Sequence, residues 1–256
     1  MRTFNQGINI ASMFKNRRIL FVLMLGVCLS LMAVACTDSE DSEEVDRDTF
    51  GEFLVAAETA AKSANLSLDD FPTGWTSEKA SEDDEDDTDL GLSEECQILD
   101  SDNFPGEVFE ADSDDFTGPD GQTVSSSATV LTSYSAAENA IEEFLKASSL
   151  QECKTELAEA FVTMFQEDQG INAEVSLKDV SFPKIGESSA AYRLLTVVPD
   201  FDLELILDLV VVQQGKMLGT LTFTSAVNIK PDADEEADLG EKFSAKITAA
   251  EATLPD

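Results

Sequence analysis

The chain has 256 residues, with 52 Asp and Glu against 16 Lys and Arg, and a formal charge of −36 at pH 7. A field this negative repels nucleic acid and anionic lipid headgroups, so no nucleic acid is expected as a partner, and it suits a soluble monomer or a saline habitat. There is no histidine, which removes the commonest general base, the usual zinc and copper ligand and the ordinary pH switch near neutrality.

Lys15, Arg17 and Arg18 precede an uncharged run from Ile19 to Ala35, which closes on Ala33-Val34-Ala35-Cys36 before the composition turns acidic. A basic flank, an apolar run and a small-residue ending are the layout of a secretory signal. The run of 17 residues falls short of a hydrocarbon core about 30 Å thick when wound as a helix, which sets an uncleaved membrane anchor behind the cleaved signal. The ending resembles the lipobox of bacterial lipoproteins, with Ala33 where that family usually has Leu. That resemblance implies cleavage before Cys36, a diacylglycerol on its sulfur, and attachment to the cell membrane through the N-terminal lipid, outside the cytoplasm. Arg17-Arg18 also faintly resembles a twin-arginine signal, although the strongly apolar run suits the general secretion route better. Removing residues 1–35 takes away four basic residues and no acid, leaving a charge of about −40. The expected organisation is a signal peptide at 1–35, a lipid anchor and disordered acidic tether at 36–48, and one α+β domain at 49–256 with an acidic loop at 78–89.

Cys28 falls in the discarded run and Cys36 takes the lipid, so Cys96 and Cys153 remain as one bridge in an oxidising compartment, two free thiols being the alternative. Along the body, Phe50, Phe53, Leu54, Ala57, Ala61 and Ala64 recur at helical spacing, and Thr49 with Glu52 has the form of a capping box, which predicts a helix over 49–64. Pro72 and Gly74 then break regular structure. Phe104 to Ala111 and Thr123 to Tyr134 read as strands around a Gly118-Pro119-Asp120-Gly121 turn. Ser135 with Glu138 predicts a second capping box, opening a helix whose apolar face is Ala137, Ala140, Ile141, Phe144 and Leu145. A further helix places Cys153, Leu157, Phe161, Met164 and Phe165 together, pointing Cys153 into the core.

Residues 172–182, 190–198 and 203–223 read as sheet. In the last of these, a three-residue loop Gln213-Gln214-Gly215 would gather Leu205, Leu207, Leu209, Val211, Met217, Leu221 and Phe223 on one face. A shorter loop would put Asp208 on the face of Leu221 and Phe223. Segregation of polarity favours the three-residue loop, with Leu207 inside and Thr222 outside. Leu239, Phe243, Ile247 and Ala250 predict a closing helix.

No nucleophile-elbow, phosphate-loop or dinucleotide-binding pattern occurs, and the acidic runs lack the alternating ligands and turn glycine of a calcium loop. No metal, cofactor or catalytic residue is therefore expected, and the protein is read as a non-enzyme. Candidate ligand contacts are Trp75, Tyr192 and Arg193. The two aromatic residues are commoner as core with a satisfied polar tip, and the arginine as half of a salt bridge.

The stretch Leu68 to Trp75, the cysteines around Ala137 and Ala140, Gly186-Glu187 before Tyr192-Arg193, and Val210-Val211-Val212 before Gly215 resemble exported actinobacterial lipoproteins. Those proteins are related to the extracellular sensor domain of mycobacterial serine/threonine kinases. The resemblance implies a PsbP-like sandwich, here an antiparallel sheet packed by helices on one face, although only one cysteine pair stands where the kinase sensors have two. The expected function is an exported, lipid-anchored binding or sensor-like module acting on an envelope protein or a small ligand. The alternatives are a carrier of an apolar ligand or lipid and a carboxylate-dependent hydrolase.

Overall fold

The computed structural model describes residues 47–80, 90–100, 104–226 and 232–255. The expected signal, the Cys36 anchor, the tether up to residue 46 and most of the acidic loop lie outside them. Four long helices are described, α1 (Arg47–Ala64), α2 (Tyr134–Ser149), α3 (Gln151–Gln169) and α4 (Ala233–Glu251). The strands are β1 (Thr76–Glu78), β2 (Glu107–Asp112), β3 (Asp115–Thr117), β4 (Thr123–Leu131), β5 (Glu174–Asp179), β6 (Ser188–Val198), β7 (Leu203–Gln214) and β8 (Met217–Ala226). They form one antiparallel sheet in the order β1-β3-β4-β8-β7-β6-β5, with β2 paired to β4. The α+β class and the antiparallel sheet are as the sequence predicts.

The helices, however, cover both faces of the sheet. Val210 and Val212 of β7 pack with Leu239, Phe243 and Ile247 of α4 and with the alanines of α1, whereas Val211 packs with Ala137, Ile141 and Phe144 of α2. Successive strand residues point to opposite faces, so α1 and α4 form one outer layer and α2 the other. A strand buried on both sides reads as an unbroken apolar run, and Val210-Val211-Val212, all under 4% exposed, is such a run. On α1, Ala57, Ala60, Ala61 and Ala64 are fully buried. Their small side chains let this helix lie close against α4 and β2.

The β7–β8 hairpin departs from its predicted register. Gln214 pairs with Met217 across a two-residue loop, Gly215-Lys216, with Gly215 at φ 57°. Asp208 consequently faces Phe223, and Val210 faces Leu221. The face carrying Leu205, Leu207, Leu209 and Val211 meets Leu218, Thr220, Thr222 and Thr224 instead, so Leu207 and Thr222 share a face. Segregation of polarity misleads here because both faces are covered and Asp208 brings its own partner.

The caps also shift. α1 begins at Arg47, which places Thr49 inside its first turn, and Ser133 caps α2 by accepting from the Ala136 N–H at 3.1 Å. Cys96 and Cys153 are bonded, with Cα atoms 5.2 Å apart. This ties residues 90–100 to the start of α3.

Candidate functional site

Arg193 and Asp208 stand directly opposite each other in β6 and β7. The guanidinium Nε donates to Asp208 Oδ1 at 2.7 Å, and Nη2 donates to Oδ2. This is the two-pronged geometry that makes arginine the residue of choice for a carboxylate. The aspartate side chain is 6% exposed and the arginine 32%, so the carboxylate is the buried partner and the guanidinium reaches toward solvent.

A second carboxyl enters from α4. Asp232 caps this helix by accepting from the Asp234 and Glu235 N–H groups, and acids fill its first turn, where the helix dipole favours negative charge. Glu236 is nevertheless turned inward, 5% exposed, and its Oε1 is without a hydrogen-bond partner. Burial, and next the neighbouring Asp208, push its pKa up to about 7, while Arg193 pulls in the opposite direction. Desolvation has overcome the dipole, and the result is a carboxyl that exchanges its proton near neutrality. The Ser225 hydroxyl, one row beyond Phe223 on the same sheet face, is likewise buried and unpartnered.

Trp75 borders the same layer. Its ring lies 4.7 Å from that of Phe71, and Gly118 passes beneath it so closely that a Cβ there would come within 3.0 Å of the indole. Lys246 of α4 clamps the segment leading to it, donating to the Asn65 carbonyl at 3.0 Å and pairing with Asp70 at 2.7 Å. Trp75 also neighbours Glu235, whose pKa burial and Asp232 raise and the indole lowers. Trp75 and Arg193 thus each meet an acid in the first turn of α4.

Tyr192 belongs elsewhere. It points to the opposite face, 8% exposed, with its hydroxyl hydrogen-bonded to Ser148 of α2 and its ring edge-on to Phe144 at 5.8 Å. This face also carries a hydroxyl-rich strip, Ser125, Ser127 and Thr129 of β4 beside Thr222, Thr220 and Leu218 of β8. Ser127 donates to Glu110 at 2.6 Å, and burial raises the pKa of the adjacent Asp112.

Arg193 is legible in the sequence as a candidate, but neither Asp208 as its partner nor Glu236 is. In a chain with 52 acids Glu236 carries no mark of its own. The signal that could have found Asp208 was its position as the single charge in Leu205–Val212.

Two open surface depressions run along Gln151, Glu152, Thr155, Glu156 and Glu159 of α3 and along Asn139, Glu142, Glu143 and Lys146 of α2. Neither has the enclosed apolar form that a lipid carrier requires. Among the described residues, no group of three or more His, Cys, Asp or Glu is arranged to hold a metal, and no helix is long and apolar enough to cross a membrane.

Fold and site together define an α+β domain built on one antiparallel sheet with a buried acid–arginine cluster. No protein-family model matches the chain, and no curated protein matches it. Among solved structures it is similar to the extracellular domain of PknH from Mycobacterium tuberculosis, at 8% sequence identity and a TM-score of 0.41, over 77% of this chain and 96% of that one.

Proposed function

We propose that this protein is an exported, lipid-anchored module that binds a partner or ligand in the cell envelope and does not itself catalyse a reaction. The bonded pair Cys96–Cys153 carries the reading. Both residues are buried, at 3% and 0% exposure, and such bridges persist in oxidising compartments outside the cytoplasm. The basic flank and apolar run ending at Cys36 supply a route to that compartment and a residue for the anchor.

Binding is favoured over catalysis because the reactive side chains are already engaged. Arg193 is held by Asp208, and the Tyr192 hydroxyl by Ser148. One observation favours the hydrolase alternative, since Asp208 and Glu236 are neighbouring carboxyls and one of them has a raised pKa. Both are nine-tenths buried, which withholds them from a substrate and makes this the weaker reading.

Intact mass and acyl labelling of the full chain, expressed in a bacterial host, test the proposal. Wild-type protein should carry a diacylglycerol that Cys36→Ala abolishes, and its native mass should show a bound envelope protein or small molecule. Unchanged labelling in Cys36→Ala would sink the anchor. Turnover of an ester or glycoside that disappears in folded Glu236→Gln would sink the non-catalytic reading.

A further inference from the structure

Among the described residues, Phe50, Leu54, Val55, Leu68, Tyr134 and Phe201 are large apolar side chains left exposed. Three of them, Phe50, Leu54 and Tyr134, lie at one end of the sheet, around the β7–β8 turn. Lys216 in that turn donates to the Pro255 carbonyl at 2.7 Å and stands 5.8 Å from the centre of the Phe53 ring. These contacts bring the start of α1 and the segment after α4 to the turn. Tyr134 opens α2 three residues after Leu131, whose N–H donates to the Lys216 carbonyl in the same turn at 2.9 Å. Phe201 lies at the other end of β7, a strand of 12 residues and so about 40 Å long. Leu68 lies beyond the far end of α1.

Phe50, Phe53 and Leu54 have the i, i+3, i+4 spacing of one helix face and continue the line of Ala57, Ala61 and Ala64. The alanines are fully buried, whereas Phe50 is 47% and Leu54 39% exposed. The apolar stripe of α1 therefore changes from the smallest residues to large ones where the helix runs past the structure that covers it. Packing within the domain accounts for the alanines and leaves the exposed Phe50 and Leu54 unexplained.

The chain itself indicates what meets this end. Arg47 opens α1 11 residues after Cys36, a stretch that spans at most about 40 Å. With a lipid on Cys36, the end bearing Phe50, Leu54 and Tyr134 is the one nearest the attachment point, tethered within about 40 Å of the bilayer, whereas Leu68 and Phe201 lie at the far end of the domain. We propose that this end of the domain docks on the lipid surface, Phe50 and Leu54 entering the interface with Tyr134 and Lys216 beside them; the inference rests on the anchoring reading above. The headgroups it fits are uncharged, because the acidity of the chain repels anionic ones. A patch of this size would not hold a free protein on a membrane, but an anchor makes its contact intramolecular, so modest apolar burial suffices.

The experiment uses the full chain, acylated at Cys36 and reconstituted into phosphatidylcholine vesicles, with a single fluorophore on Leu54→Cys or on Phe201→Cys. Cys28 leaves with the signal, the Cys36 sulfur carries the lipid, and Cys96 and Cys153 are bonded, so the introduced thiol is the one labelled. A quencher carried on the lipid acyl chain should dim the label at 54 about twofold or more and leave the one at 201 nearly unchanged, as expected for side chains at the acyl boundary. Equal quenching at the two positions on acylated protein overturns the docking and leaves the anchor standing. A label at 54 that is shielded from lipid while the native mass doubles assigns the face to a second copy and also overturns it. A chain without acyl mass at Cys36 overturns the anchor, and the docking with it.

Discussion

β6 sends Tyr192 into one layer of the protein and Arg193 into the other, and the two layers bury polarity in different ways. On the side of α2, the Tyr192 hydroxyl meets Ser148 and the ring meets Phe144, so a neutral group is buried and satisfied. On the side of α4, Arg193 and Asp208 are joined by Glu236, a second acid for the same arginine, with one oxygen left unpartnered. The first arrangement holds layers together at any pH near neutrality. The second stores an unfavourable charge that a proton relieves. The α2 side is also tied covalently, because Cys96 and Cys153 pack with Ala147 and Leu150 at the junction of α2 and α3, whereas among the described residues the α4 side has no such tie.

The largest effect should therefore come from cutting that tie. Replacing both cysteines by serine opens a loop of 57 residues, which costs about 4 kcal/mol on the chain-entropy account of disulfides. Urea unfolding of the double variant should show the loss. A variant as stable as wild type would mean that the α2–α3 layer stands on its packing alone.

On the other face, Arg193→Met leaves Asp208 buried without its cation and next to Glu236. Breaking one partner of a buried pair should cost about 3 kcal/mol, at the lower end of such losses because the guanidinium is one-third exposed. Arg193→Met with Asp208→Leu should recover most of that stability, since an apolar pair of similar volume removes the stranded charge. If the double variant is as unstable as the single one, the ion pair is holding something beyond itself, and the α4 face has more to do than pack.

These two groups also mark how far the sequence could be read. The helical spacing of Phe53, Ala57, Ala61 and Ala64, the cysteine arithmetic, and the closing helix of Leu239, Phe243, Ile247 and Ala250 are local patterns, and each gave its element. The hairpin register was not local. Asp208 looked like a residue that must face solvent, and only Arg193, 15 residues away in the chain, makes its inward position tolerable. The second helical layer was hidden in the same way. Val210-Val211-Val212 shows burial on both faces, but the register chosen from polarity assigned it to one. Trp75, Tyr192 and Arg193 were legible as unusual residues. That two of them approach the first turn of α4 while the third lies on the opposite face depends on strand pairing that no short motif encodes.

A proton sharpens the contrast between the faces. The Glu236 pKa of about 7 in the folded protein stands above the ordinary 4.5, so between these values the folded state keeps a proton that the unfolded chain has released. The stability this group contributes is complete below pH 4.5 and is lost as pH rises to about 7. Its charged neighbours are Asp208, Asp232 and Glu235, which oppose ionisation, and Arg193, which favours it. Glu236→Gln keeps the shape without the charge. It should match wild type near pH 4 and exceed it by about 2 kcal/mol at pH 8, less than the full shift implies because the buried amide also lacks partners. Parallel stability curves for the two proteins from pH 4 to pH 8 would show that Glu236 does not hold a proton in the folded state.

Tyr192→Phe should have the smallest effect, and its size tests whether the α2 face is as self-sufficient as its contacts imply. The substitution keeps the ring against Phe144 and removes the hydroxyl that meets Ser148. Ser148 is not stranded, because its Oγ also donates to the Leu145 carbonyl at 3.1 Å in the preceding turn of α2. The loss is therefore that of one neutral hydrogen bond, about 1 kcal/mol, with no charge left behind and no pH dependence between 5 and 8. Denaturant unfolding at both ends of that range measures it. A loss several times larger, or one that grows toward either end, would mean that the Tyr192 hydroxyl is coupled to the Lys154–Asp179 ion pair beside it, and that the neutral face also depends on charge.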